Sequence, residues 1–155
     1  MSHSPIESHP TDVRRAAMNH LSRREHTRLE LYRKLTTRGF PAGLVGPIIE
    51  DLANEGLQSD TRFAGAYTRY RRARGYGPVR ISQEMRERGL SDDLIGVHID
   101  IDDEDWLRIA AEVLAKKAAS ANNADPNQRA KLQRFLQYRG FTSAQIRAAM
   151  RNETT

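Results

Sequence analysis

One pattern of apolar and polar positions occurs three times along the chain, each time around an Arg-Gly-apolar triplet. The glycines of these triplets are Gly39, Gly89 and Gly140, which are 50 and 51 residues apart. Apolar residues stand eight and four positions before each glycine and six and ten positions after it. In chain order they are Leu31, Leu35, Val45, Ile49, Ile81, Met85, Ile95, Ile99, Leu132, Leu136, Ile146 and Met150. The spacing of four on each side predicts two amphipathic helices, with the glycine as a left-handed C-terminal cap between them.

A further helical pattern precedes each copy, at about residues 12–23, 60–73 and 103–119. No useful stretch alternates apolar and polar residues, so we predict no sheet. The pattern therefore predicts an all-α protein, an elongated array of three tandem three-helix repeats with about nine helices. The predicted boundaries are a flexible N-terminal tail at 1–11 and repeats at 12–58, 59–107 and 108–155.

The composition agrees with an extended helical protein that has a modest core. Of the 155 residues, 38% are hydrophobic and 29% are charged, and the absence of cysteine excludes disulfides and thiolate metal sites. No apolar run approaches the ~20 residues of a membrane span, and the polar residues 1–11 lack the apolar core of a signal peptide. We expect a cytoplasmic protein that does not associate with membranes.

The charge is distributed unevenly in the middle repeat. Residues 59–91 hold eight arginines and three acids, whereas residues 92–107 hold seven acids and no basic Lys or Arg. The net charge of +5 favours phosphates or an acidic protein surface as partner. Guanidinium groups pair with phosphates and carboxylates alike, so the cluster leaves both partners open. Its alternative interpretation is a set of solvated arginines on an exposed helix.

The aromatic and acidic residues of this region each admit two interpretations. Tyr67, Tyr70 and Tyr76 either stack on bases or pack at the core edge, and Tyr76, between Gly75 and Gly77, is expected to be the most exposed. The acidic run at 100–105 either caps the helix that carries Trp106 or faces a partner. Glycine and glutamate are missing from the positions that an EF-hand loop requires, which excludes that calcium site.

Nothing in the sequence indicates catalysis. The Gly-Tyr-Gly segment lacks the lysine and the preceding strand of a phosphate-binding loop. The five histidines have no metal-ligand spacing, and no nucleophilic triad or carboxylate pair is evident. We expect no catalytic residue, no metal and no cofactor.

The middle repeat resembles a known family. The residues that carry the resemblance are Asp60, Arg62-Phe63-Ala64, Tyr67, Arg69, Arg71, Gly75-Tyr76-Gly77-Pro78, Arg80-Ile81 and Arg88-Gly89-Leu90. They are similar to the signature of RecX, the bacterial regulator of the RecA recombinase, and the residues at 21–31 and 52–56 are similar to its first segment. The resemblance covers about residues 12–152 and implies three tandem three-helix repeats.

The resemblance also implies a function and a partner. It implies a negative modulator that binds the groove of the RecA–single-stranded-DNA filament and restrains ATPase, strand exchange and co-protease activity in DNA repair and the SOS response. We expect a monomer with possible weak direct binding to DNA. The hypothesised contact residues are Arg69, Arg71, Arg72, Arg74, Tyr76 and Arg80, supported by Lys116, Lys117, Arg129, Lys131 and Arg134.

Two other functions remain open on the sequence. One is a helical protein that binds DNA directly and acts without RecA. The modest net charge and the neighbouring acidic patch argue against it. The other is a scaffold of helical repeats that binds a protein partner without any filament.

Overall fold

The computed structural model of the chain describes residues 9–122 and 124–152. This part of the chain contains nine α-helices and no strand, as the sequence pattern predicts. The helices are α1 (Pro10–Leu21), α2 (Arg28–Thr37), α3 (Ala42–Asn54), α4 (Asp60–Ala73), α5 (Pro78–Glu87), α6 (Asp92–His98), α7 (Asp105–Ala119), α8 (Gln128–Arg139) and α9 (Ser143–Asn152). Residues 1–8 of the predicted tail lie outside the described residues, and α1 already begins at Pro10. The predicted boundary between 107 and 108 falls inside α7.

The described residues divide into two compact units: residues up to 66 with 87–91, and residues 67–86 with those from 92 onwards, so that the boundary falls within α4. In the first unit α1, α2 and α3 pack against one another. Their shared core consists of Val13, Ala16, Ala17, Leu31, Leu35, Val45, Ile49 and Leu52. The start of α2 is fixed by a capping box, in which the Thr27 hydroxyl accepts from the Glu30 amide at 3.0 Å and the Glu30 carboxylate accepts from the Thr27 amide at 3.2 Å.

In the second unit α7, α8 and α9 pack together around buried apolar side chains that include Trp106, Leu114, Leu136 and Met150. The indole nitrogen of Trp106 donates to the carbonyl of Asp100 at 2.8 Å, so its only polar atom is satisfied. The twelve apolar positions of the repeated pattern are buried, except that Ile146 is half-buried. No helix in the described part of the chain is both long and apolar enough to cross a bilayer.

The glycines of the triplets have the predicted left-handed backbone, with φ of 109° at Gly39, 88° at Gly89 and 95° at Gly140. The turn between α4 and α5 approaches the end of α8 closely in the second unit. The Gly77 amide donates to the Arg139 carbonyl at 2.7 Å, and a Cβ on Gly77 would lie 2.5 Å from the carbonyl carbon of Gly140. Glycine is therefore required at 77 by the approach of two backbones.

Candidate partner-binding site

A basic cleft of about 600 Å³ opens in the second unit between the end of α4, α7 and α8. Its charged and aromatic lining residues are Arg71, Arg72, Arg74, Tyr76, Glu112, Lys116, Lys117, Phe135 and Arg139. The structure thus brings together six of the residues predicted from sequence, four from the middle repeat and two lysines from the third. Phe135 and Arg139 were not predicted as site residues.

The expectation that Tyr76 is the most exposed of Tyr67, Tyr70 and Tyr76 is wrong. Tyr76 is half-buried, and the guanidinium carbons of Arg71, Arg80 and Arg139 lie 3.6, 4.7 and 4.8 Å from its ring centroid. The turn that carries Tyr76 packs on the end of α8 and does not project into solvent. Tyr70 is instead 53% exposed. The Tyr76 ring is therefore an internal support for three arginines.

Arg71 forms the best-enclosed ion pair of the site. Its guanidinium donates to both carboxylate oxygens of Glu84, at 3.0 and 2.9 Å, and only 14% of its side chain is exposed. Burial alone lowers the pKa of Arg71, but the hydrogen bond and the charge of Glu84 raise it overall. Since Glu84 accepts from one edge of the guanidinium and its central carbon lies over the Tyr76 ring, Arg71 mainly joins α4 to α5.

Arg72 is likewise held within the protein. Its guanidinium lies 4.4 Å from the Trp106 ring and pairs with the carboxylate of Asp105. The hydrogen bond from Arg108, followed by the charges of Arg108 and Arg72, holds the pKa of Asp105 below its usual range. Asp103 in turn accepts from the Asp105 amide at 3.0 Å, at the start of α7. Glu104, the residue directly before α7, makes no side-chain cap, so the acidic run relates to α7 only by its place at the positive end of the helix dipole.

Four cations of the cleft remain uncompensated. Arg74, Lys116, Lys117 and Arg139 have no ion pair with any carboxylate of the described residues. Glu112, the one acidic lining residue, pairs with Arg108 at 2.8 Å. The cleft therefore has a positive potential available to an anionic partner.

Two of these cations flank an aromatic ring. Lys117 Nζ lies 4.9 Å from the centroid of the Phe135 ring, and the guanidinium carbon of Arg139 lies 5.0 Å from it. Arg139 is oriented by its hydrogen bond to the Arg74 carbonyl at 2.9 Å. The sequence offered one signal for Arg139, its place in the Arg-Gly-apolar triplet, but that signal indicated a turn.

The other predicted contact residues do not line the cleft. Arg69 is exposed on α4, and Arg129 and Arg134 are exposed on α8. Lys131 pairs with Asp125. Arg80 donates to the Tyr138 carbonyl at 3.1 Å and lies 4.7 Å from the ring of Tyr138, which is 72% exposed.

The fold and the cleft define a class, a helical-repeat protein with a cationic cleft. Three successive segments match the three-helix domains of RecX: the first at residues 14–52, the second at 59–96 and the third at 103–150. The chain belongs to the RecX family of regulatory proteins.

Relatives along most of the chain support this assignment. The regulatory protein RecX of Halorhodospira halophila is 46% identical over 137 residues, which cover 88% of this chain and 85% of the relative. That of Pseudomonas entomophila is 43% identical over 143 residues and 92% of each chain. The crystal structure of RecX from Lactobacillus salivarius shares the fold, with a TM-score of 0.74, 22% identity and coverage of 92% of this chain and 95% of that one.

Proposed function

We propose that this protein is a negative modulator of the RecA recombinase, without catalytic activity of its own. It binds the groove of the RecA–single-stranded-DNA filament and restrains ATP hydrolysis, strand exchange and co-protease activity in DNA repair and the SOS response. Family membership supports the regulatory role. The observation that carries the binding site is the group of four uncompensated cations in the basic cleft.

The proposed mechanism is a shift between states of the filament. A protein with no reactive groups changes the turnover of an enzyme only by binding one of its states more tightly than another. Arg74, Lys116, Lys117 and Arg139 supply donors for phosphates of the DNA or carboxylates of the recombinase. Arg71 and Arg72 contribute by holding the walls of the cleft, because their guanidinium groups are already paired with Glu84 and Asp105.

The test compares charge loss inside the cleft with equal charge loss elsewhere. RecA-catalysed ATP hydrolysis on single-stranded DNA is measured while the wild type or the Lys116→Gln/Lys117→Gln variant is added. The control is Arg23→Gln/Arg147→Gln, which removes two exposed cations that do not line the cleft. We expect wild type and control to inhibit equally.

The cleft variant loses two charged contacts worth about 1–2 kcal/mol in total, so inhibition needs about 5–30 times more protein. Equal inhibition by all three proteins would exclude the cleft as the contact surface. If the wild type leaves ATP hydrolysis unchanged at saturating concentration, the proposed function is wrong.

A second function, direct binding to single-stranded DNA without RecA, has one observation in its favour. Phe135 between Lys117 and Arg139 is an aromatic ring within a basic groove, which is typical of proteins that bind single strands. Fluorescence anisotropy with a labelled oligonucleotide distinguishes the two functions. Tight binding to naked DNA with a steep salt dependence, together with unchanged RecA activity, favours this second function.

A further inference from the structure

The second helix of one repeat contacts the Arg-Gly turn of the next repeat at two places in the chain, and we call this contact a joint. The first joint lies in the first unit. There α2 and its N-cap residue Thr27 contact the turn that ends α5. The Thr27 hydroxyl donates to the Arg88 carbonyl at 2.7 Å, and the Arg33 guanidinium donates to the Glu87 carbonyl at 3.3 Å. The side chain of Leu29 covers Gly89, where an added Cβ would lie 2.7 Å from the Leu29 Cβ. These donors satisfy carbonyls that the end of a helix leaves without partners.

The second example lies in the second unit and has the same plan. There the start of α5 holds the turn that ends α8. The amide of Val79 donates to the Gly140 carbonyl at 2.9 Å, and the Arg80 guanidinium donates to the Tyr138 carbonyl at 3.1 Å. In both joints the Arg-Gly turn of one repeat thus receives donors from the second helix of the preceding repeat and its N-cap residue.

The first repeat has the same turn with no such partner. Arg38 and Gly39 are exposed, and no atom lies within 4 Å of a Cβ built on Gly39. The carbonyls of Thr37, Arg38 and Gly39 accept no hydrogen bond from the described residues. Beside the turn lies a groove of about 320 Å³, walled by α1 and by Phe40. We call residues 37–39 the open turn, since it exposes backbone carbonyls at the positions whose equivalents accept hydrogen bonds in the two joints.

The third repeat has cations at the matching positions of α8. Arg134 stands six residues before Gly140, as Arg33 stands six before Gly39. Lys131 stands nine residues before Gly140, as Arg80 stands nine before Gly89. Residues 141–155 contain no further Arg-Gly-apolar triplet that these cations could contact. Arg134 is exposed and has no hydrogen bond or ion pair within the described residues, and Lys131 pairs only with Asp125.

We propose that a second copy of this chain completes the joint: residues 128–134 of one copy dock on the Arg38–Gly39 turn of another. This contact between two copies uses the same kinds of donor and acceptor as the two joints inside the chain. The contact requires no acidic side chain, because in the two joints Arg33 and Arg80 donate to backbone carbonyls, those of Glu87 and Tyr138. The two surfaces differ, so the association is heterologous and each copy keeps one surface free for the next. This self-association goes beyond the proposed function and does not rest on it.

Because the chain contains no cysteine, single engineered cysteines test the contact directly. Arg38→Cys and Lys131→Cys are prepared separately, mixed and treated with a short bis-maleimide. We expect a 38–131 cross-link in the mixture and little dimer in either variant alone. The matched control mixes Arg38→Cys with Arg147→Cys, whose residue is exposed on α9. A yield in the 38–131 mixture no higher than in this control would overturn the proposal.

Sedimentation velocity up to about 1 mM protein tests the same contact without cross-linking, since a contact of one turn and one helix start is expected to be weak. The wild type should sediment faster as its concentration rises. Arg134→Glu should remain monomeric, whereas Arg23→Glu, with the same charge change elsewhere, should behave as wild type; circular dichroism checks that both variants are folded. A wild type that stays monomeric throughout would show that the open turn is only a polar cap.

Discussion

Three glycine substitutions separate backbone strain from crowding in the turns of this fold. Gly39 and Gly140 occupy the same position of the repeat and have similar left-handed φ values of 109° and 95°. A Cβ on Gly39 meets no atom within 4 Å, but one on Gly140 would lie 2.2 Å from the Cβ and 2.6 Å from the amide nitrogen of Arg80. Gly77 provides the third case, since it approaches the Gly140 backbone without having a positive φ.

The expected losses of stability follow from these distances. Alanine in the left-handed region costs about 1–2 kcal/mol. Crowding that moves backbone atoms adds about 1–3 kcal/mol. We therefore expect Gly39→Ala to cost about 1–2 kcal/mol, Gly77→Ala about 1–3 kcal/mol and Gly140→Ala about 2–5 kcal/mol.

Urea unfolding measures these costs. Trp106, the only tryptophan, reports on the second unit by fluorescence, and circular dichroism reports on the whole chain, including the unit that contains Gly39. Hydrogen exchange of the Val79 amide provides a local measure, because its acceptor is the Gly140 carbonyl. Gly140→Ala should accelerate this exchange, and Gly39→Ala should not.

One result would refute the reasoning. If Gly39→Ala and Gly140→Ala cost the same within about 0.5 kcal/mol, the close approach of α8 to the start of α5 adds no measurable energy. Unchanged Val79 exchange in Gly140→Ala would lead to the same conclusion. The requirement for glycine at both positions would then be conformational alone.

Two further predictions concern titratable groups. Burial chiefly lowers the pKa of His26, whose ring nitrogens contact the Arg24 carbonyl at 3.1 Å and Lys34 Nζ at 2.9 Å. As the pH falls, His26 is therefore protonated in the unfolded chain before it is protonated in the folded protein. The free energy of unfolding of the first unit should fall from pH 7.5 to 5.5, by at most about 1.4 kcal/mol per pH unit for this group. Urea unfolding at both pH values measures the fall, and an equal fall in His26→Gln would assign it to other groups. Glu84→Gln leaves Arg71 with one acceptor oxygen in place of two and should lower the free energy of unfolding by about 1–3 kcal/mol, measured by Trp106 fluorescence. A loss below about 0.5 kcal/mol would show that the pair only orients Arg71.

The sequence predicted the helices and the glycine turns because both depend on local spacing. A period of four around each triplet identifies the buried face, and a left-handed cap needs only the glycine at 39, 89 or 140. Tyr76 was predicted wrongly because its exposure depends on α8, which lies about 60 residues further along the chain. No local pattern carries that information.

The candidate site was predicted only in part for a related reason. The sequence located the arginines but could not distinguish those paired inside the protein from those left free. Arg71 and Arg72 find carboxylates on other helices, at Glu84 and Asp105. Arg139 is the reverse case. Its place in the triplet predicts only a turn, but its guanidinium lines the cleft. Whether an arginine is paired inside the protein or lines the cleft depends on neighbours that are distant in the sequence.

We propose that the segment from Gly75 to Pro78 couples the stability of the second unit to the binding proposed for this cleft. A Cβ on Gly75 would lie 2.6 Å from a Val113 methyl carbon and 3.3 Å from a guanidinium nitrogen of Arg139. The glycines that let this turn pack on α7 and α8 therefore also fix the position of Arg139 and the width of the cleft. A substitution there retains every positive charge yet moves the groups that carry them. We therefore propose that the Gly-Tyr-Gly-Pro segment affects the proposed binding through geometry, whereas Arg74, Lys116, Lys117 and Arg139 supply the charge.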